Sequence, residues 1–268
     1  MNPVSSFKQL LRVLKTDSQM RRAGFPFGWF TKQFYRLRWH QRNNLPSPTL
    51  EGKVRVRNQD VYYKITLEQI GVLHGVYVEE EYDLTRMLKG YPRTILDLGA
   101  NIGMASTYLH LCYPEARIAC VEPDPRNLPT LQEMFEKNRV AAKVFPCAVA
   151  DKPGTFNLMM GRDSTMSALE GSSIRSSADS VPVTVRIMQD VLGELNWESV
   201  DLMKIDIEGT EDDLLSKNND WLTKVNAIVI EVHPNTSASK IDSYLKPYGF
   251  KPLASLDKVS EPVYFTSK

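Results

Sequence analysis

One stretch limits the possible folds of this chain more than any other: residues 94–124, TILDLGANIGMASTYLHLCYPEARIACVEPD. The apolar run 95–98 is too short for a helix and is bounded by turn residues, so it reads as a buried strand. The sequence Gly99-Ala100-Asn101-Ile102-Gly103 follows, then a helical segment to about Cys112 and a second apolar run, 118–121, that ends on Glu122. Strand, glycine turn, helix, strand and acid make a βαβ unit. Gly99 and Gly103 let the backbone approach a ligand closely. The helix points its free N–H groups at whatever lies over the turn. An acid about 20 residues on is placed to hold a ribose diol. The unit therefore predicts a site for an adenosine-containing cofactor at the carboxyl edge of a parallel sheet.

A dinucleotide fingerprint needs a third glycine and a pyrophosphate on the helix end, and this turn lacks that glycine. A second constellation lies at 200–211, VDLMKIDIEGTE, where a strand over 202–207 ends in Asp206, with Glu208 and Glu211 just beyond. Carboxylates grouped there are costly unless paired, metal-bound or solvated in a cleft. The next apolar strand, from Ala227, ends in Glu231-Val232-His233. Asp206, Glu208, Glu231 and His233 are thus expected at the tips of two neighbouring strands.

The turn D-x-G-x-x-x-G, with Asp97 in front, resembles the S-adenosylmethionine (SAM) turn of class I methyltransferases. The strings DLGANIG, EPDP, KIDIEGTE and EVH together resemble the FkbM family of SAM-dependent methyltransferases, over roughly residues 78–255. The resemblance implies an α/β fold with a Rossmann-like, seven-stranded class I sheet and helices on both faces. It also implies roles for residues. The turn of Asp97, Gly99, Asn101 and Gly103 would face the methionine end of SAM and Glu122 the ribose hydroxyls. Asp124 with Ala148 and Val149 would face adenine. Asp151, at the end of that turn, reads equally as an adenine contact or as a turn former before Pro153-Gly154. In the serine-rich stretch between the third and fourth strands, Ser164, Thr165 and Ser167 are candidate acceptor contacts, with Glu231 on the facing strand.

The activity implied is O-methylation of a hydroxyl on a sugar, glycan or small natural product. Such an acceptor must lose a proton, so a base is needed. His233 is the first candidate because its unperturbed pKa is about 6.5, and Asp206 the second. Asp206 with Glu208 forms an alternative site for a divalent cation that acidifies the hydroxyl. No D-P-P-Y tetrapeptide follows the fourth strand, which argues against methylation of nucleic-acid bases; a ribose-directed RNA methyltransferase stays open. So does a non-catalytic SAM-fold module that binds a membrane or partner.

Charge divides the chain. Residues 1–50 hold nine Lys or Arg and a single acid, Asp17, whereas the remainder carries 24 basic and 31 acidic residues. That asymmetry sets off 1–50 as a basic, aromatic arm and linker, followed by a hairpin and lead-in helix at 51–90 and the methyltransferase domain at 91–268. Within 5–15, Phe7, Leu10, Leu11 and Leu14 share a helical face, and residues 25–42 are dense in aromatics and arginine. Three partners fit the arm: the protein's own core or a second subunit, an anionic membrane surface, or nucleic acid, the last disfavoured. The linker is placed at 43–52.

The finer reading predicts a hairpin over 53–66, turning at Asn58-Gln59-Asp60, and a helix over 78–88. Glu81 and Tyr82 would there serve either as a lid over the cofactor or as a solvated helix start. A helix opening at Asp124-Pro125 and running to Asn138 is expected next, with Leu128, Leu131, Met134 and Phe135 inward. A third strand is expected over 143–149, β-prone runs at 155–160 and 181–186, a helix at 239–248, a strand at 249–255 and a last, antiparallel strand at 262–266. Lone cysteines at 112, 120 and 147, the lack of an apolar run of about 18 residues and the lack of an export leader point to a cytoplasmic protein, peripheral at a membrane if the arm binds one.

Overall fold

The structure, a computed structural model, describes residues 3–88, 90–159, 168–169, 179–253 and 263–266, with side chains from Val13 onward except at 168–169 and 263–266. Two compact units divide the chain, Met1–Glu81 and Tyr82–Lys268.

In the first unit, helices α1 (Pro3–Arg22) and α2 (Trp29–Arg42) precede the antiparallel hairpin β1 (Thr49–Val56) and β2 (Gln59–Thr66). Asp17 joins the two helices: it is 6% exposed, and its Oδ1 accepts from the Phe30 N–H at 2.9 Å. That bond satisfies a free donor at the start of α2. Alternate residues of the hairpin, Val54 and Val56 against Val61, Tyr63 and Ile65, are buried, as a two-sided strand requires. The predicted turn moves back to Arg57-Asn58, where both residues have positive φ (46° and 65°). A two-residue hairpin turn demands that left-handed pair. With β1 beginning at Thr49, the linker ends before it.

Helix α3 (Ile70–Tyr77) closes the unit. The helix predicted over 78–88 does not form; those residues are turns and bends. Glu80 has φ +53°, and Asp83 accepts bonds from both the backbone N–H and the hydroxyl of Thr85. Side-chain bonds of this type compete with helix.

The second unit is an α/β layer structure. Its elements are β3 (Thr94–Leu98), α4 (Met104–Cys112), β4 (Arg117–Val121), α5 (Leu128–Asn138), β5 (Ala142–Phe145), β6 (Ala148–Val149), β7 (Gly154–Met159), β8 (Ala168–Leu169), β9 (Ser180–Arg186), α6 (Met188–Leu195), β10 (Leu202–Ile205), α7 (Glu211–Ser216), β11 (Ala227–Ile230), α8 (Ala238–Leu245), β12 (Lys251–Pro252) and β13 (Val263–Thr266). The main sheet runs β12-β13-β11-β10-β3-β4-β5. Five of its strands are parallel, β13 lies antiparallel beside β11, and the two-residue β12 ends the sheet. Helices cover both faces. Leu96, Val121, Ile205 and Ile230 join Val191 of α6, Leu215 of α7 and Ile241 of α8 in one buried cluster. On the opposite face, Ser106 of α4 donates to Asp97 of β3.

The expected third strand splits after Phe145. Pro146 has no N–H to extend the ladder, and β6 pairs instead with β9 in a second sheet, β6-β9-β7-β8. Helix α5 starts one turn later than expected, because the Asp124 carboxylate is occupied by the N–H and guanidinium of Arg126. The strand expected at 249–255 shortens to β12. Among the described residues, no helix is long and apolar enough to cross a membrane.

Candidate functional site

From β3 the chain builds outward through β4 and β5, then returns to place β10 on the other side of β3. Ligands of open α/β sheets bind at the carboxyl ends of strands where the order reverses in this way. The β3 and β10 tips touch through backbone there. Gly99, at φ +79°, presses so closely on Asp206 that a Cβ would lie 1.7 Å from its carbonyl oxygen. Gly103 has φ +84°, and a Cβ there would strike the Phe135 ring of α5. It caps α4 and does not line the cleft between the tips.

That cleft is walled by Gly99, Asn101, Glu122, Asp124, Ala148 and Val149 on the β3–β6 side, and by Asp206, Ile207, Glu208 and Thr210 on the β10 side. Glu122, 4% exposed, receives N–H groups from Asn101 at 2.7 Å and Asp124 at 2.8 Å, and the Asn127 amide at 3.1 Å. Asn101 reaches its place through a left-handed backbone, φ +51°. Burial dominates at Glu122 and, against those three donors, pushes its pKa from 4.5 to about 7. A raised carboxyl pKa stabilises the fold fully below the ordinary value, and that contribution is lost as pH rises through about 7. Between pH 4.5 and 7 the unfolding free energy of the wild type should therefore fall by on the order of 1–3 kcal/mol relative to a Glu122→Gln variant. Urea titrations at several pH values read this, and parallel pH profiles would sink the assignment.

Asp97 is placed elsewhere. It is fully buried, and its partners are the Ser106 hydroxyl at 2.7 Å and the Lys204 ammonium at 3.1 Å. Lys204, 3% exposed, also donates to the Gly99 carbonyl at 2.7 Å and lies 3.3 Å from Asp206. Burial alone would lower the Lys204 pKa, but the Asp206 and Asp97 charges outweigh it and hold it well above the ordinary lysine range. Tyr82 is buried, with the Lys204 ammonium 5.9 Å from its ring centroid. Glu81 belongs to the first unit, its carboxylate against Gly75.

The acids and the imidazole converge. His233 Nε2 lies 3.4 Å from Glu208 and 3.9 Å from Asp206, and Nδ1 is 2.9 Å from Glu211, the fully buried first residue of α7. Burial works against a charged imidazole, yet hydrogen bonds to Glu208 and Glu211 and the nearby charges raise its pKa from 6.5 to about 11. In the absence of a cation these neighbours favour the charged form of the ring. The three carboxylate neighbours therefore weigh against His233 as the base, since they raise its pKa above the ordinary value. Glu231, exposed and not among the residues that wall the cleft, is pushed up to about 7, first by the Asp206 charge and then by desolvation. Burial chiefly raises Glu208 as well, and that residue sits at φ +53°, an uncommon backbone for glutamate. Asp206, Glu208 and His233 each offer one ligand atom, all within 4.8 Å of one another, close enough to meet on one divalent cation.

Sequence reading gives Lys204 no part and counts Glu211 only among the acids beyond the strand, so the contacts of both come from the structure. Each had a signal. A lysine inside the apolar run LMKI must be paired if buried, and Glu211 opens a helix beside other acids. Asp151 does not line the cleft; its carbonyl accepts from Asn218. Ser164, Thr165 and Ser167 lie outside the described residues.

The cleft encloses about 60 Å³, so an adenosine-containing molecule fits only with part of it in the open mouth or with the walls moved apart. A larger cavity, about 610 Å³, lies at the other end of the strands, beside Arg93, Thr94, Arg117 and Asp201. Asp201 is occupied there by the Arg93 N–H and the Asn226 amide. Chemistry favours the smaller space, where the strand order reverses and the acids gather.

Residues 97–252 match a family model described as the methyltransferase FkbM domain. The chain is 26% identical over 194 residues to 31-O-demethyl-FK506 methyltransferase FkbM of Streptomyces tacrolimicus, covering 61% of this chain and 74% of that protein. It is 30% identical over 159 residues to Methyltransferase 1 of Beauveria bassiana, covering 52% and 64%. With 2-O-methyltransferase NoeI of Sinorhizobium fredii it shares 29% over 153 residues, covering 51% and 62%.

Proposed function

Because this chain belongs to the FkbM methyltransferase family, we propose that it transfers the methyl group of S-adenosylmethionine to a hydroxyl of a sugar, glycan or small natural product. The observation that carries the reading is the pairing, across one switch-point cleft, of a buried acid cradle at Glu122 with Asp206 and Glu208, behind which His233 stands within reach of both. Two relatives named as O-methyltransferases support oxygen as the acceptor atom.

The residues fit such a cofactor. Glu122 already holds three N–H donors, and of the roughly four lone-pair sites of a carboxylate one is left, on Oε2, for a ribose hydroxyl. Gly99 leaves the turn bare of side chain where the strand tips meet, and Ala148 and Val149 supply a small apolar wall for adenine. When bound, the sulfonium supplies an already activated methyl group, so the protein's main task is alignment. Asp206 takes the acceptor's proton in this reading, because the carboxylates around His233 favour its charged form. Glu211 fixes the His233 ring through Nδ1 and leaves Nε2 to hold the acids in place.

Calorimetry with SAM tests the cofactor half. Glu122→Ala should weaken binding by roughly tenfold or more, the loss of charge-assisted hydrogen bonds; unchanged affinity contradicts the ribose role. Labelled SAM with a panel of hydroxylated acceptors tests the chemistry. Asp206→Asn should cut turnover by about 100-fold or more and still bind SAM. Running the assay with and without EDTA separates two uses of the acids: a rate abolished by chelation assigns them to a divalent cation, an unchanged rate to the proton. Tight SAM binding without transfer to any hydroxyl would favour a non-catalytic module.

A further inference from the structure

Helix α2 of the first unit carries a surface that the chemistry of the second does not use. At 100° per residue, Tyr35 and Trp39 form one exposed ridge, 56% and 57% open. Lys32 and Arg36 line one flank of the ridge and Arg38 and Arg42 the other, all exposed. The opposite side carries the buried Gln33 and the half-buried Phe30 and Leu37. Just before the helix, Phe27 is 83% exposed, and the guanidinium of Arg21 sits 5.6 Å from its ring centroid. The only acid of the first fifty residues, Asp17, is buried and committed to the α2 N-terminus. No carboxylate on α2 therefore competes for its cations.

We propose that this face of α2, with Phe27, rests on an anionic lipid bilayer and holds the protein peripherally at a membrane surface. Aromatic side chains with apolar bodies and polar tips settle at the headgroup boundary, and cations on both flanks reach the phosphates beside them. A ridge on one convex helix suits a plane. Single-stranded nucleic acid needs a groove with stacking platforms, and a second copy of this chain would meet the same positive charge. The cations keep the helix on the surface, not across it.

The experiment is co-sedimentation of the full chain with phosphatidylcholine vesicles, pure or carrying about one-third phosphatidylglycerol. Binding to the anionic vesicles should be roughly tenfold or more tighter than to neutral ones and should weaken with salt. Tyr35→Ser with Trp39→Ser, and separately Arg38→Gln with Arg42→Gln, should each lose about tenfold of it. All four side chains are exposed, so the variants should keep the wild-type circular dichroism, and Trp39→Ala alone provides a milder check. Equal partitioning to both vesicle types, no binding to the anionic ones, or no effect of the substitutions overturns the proposal. So does binding of an oligoribonucleotide in the absence of vesicle binding.

Discussion

Replacing Gly99 by alanine should lower the melting temperature by about 6–12 °C and abolish measurable SAM binding. Two costs add. The left-handed backbone at φ +79° disfavours any Cβ by about 1–2 kcal/mol. The new carbon would also lie 1.7 Å from the Asp206 carbonyl, a backbone atom that cannot swing aside. Asp206 donates its own N–H to the Leu98 carbonyl at 3.0 Å, so relief of the clash must part β3 from β10 where the cleft opens. A total of about 3 kcal/mol or more is expected. Differential scanning of the variant checks it, and a melting temperature within about 2 °C of wild type would mean that the strand tips are not packed as described.

The second large effect is expected at Lys204. Changing it to methionine keeps the volume but leaves Asp97 fully buried with only the Ser106 hydroxyl as partner. Removing one member of a buried ion pair costs about 3–5 kcal/mol, mostly the penalty of the stranded charge. Adding Asp97→Asn to the methionine variant removes that charge and should recover about 2–3 kcal/mol. Urea denaturation of the two single variants and the double gives the coupling directly. If the single change costs under about 1 kcal/mol, or the two changes simply add, Lys204 is not what neutralises Asp97.

These two residues mark where the sequence stops being readable. Asp97 looks like a cofactor ligand because it stands beside the glycine turn. In the parallel ladder it is the register partner of Lys204, and both side chains fall on the same face of the sheet. Register between strands about a hundred residues apart is not written in either strand. His233 illustrates the same limit for charge. Its place at the tip of β11 is legible from the apolar run before it, but its ring nitrogens face Glu208 and Glu211, which arrive from the turn and helix after another strand. A lone histidine's ordinary pKa gives no hint of that. The failed helix at 78–88 is a local misreading of another kind: its acids suit a helix start, yet Asp83 spends its carboxylate on Thr85.

Sequence alone determined the strand–turn–helix–strand–acid order of residues 94–124, the left-handed glycine at its centre, the acids at the tip of β10 and the basic character of the first fifty residues. All of these follow from backbone dihedral preference, hydrophobic period and local charge, which neighbouring residues encode among themselves. Tertiary structure decided which acid Lys204 neutralises, which carboxylates surround His233, where Pro146 diverts the chain into a second sheet, and which face of α2 is left to solvent. Those outcomes depend on distances across the ladder and on exclusion of water, and neither exists until the strands have found their partners.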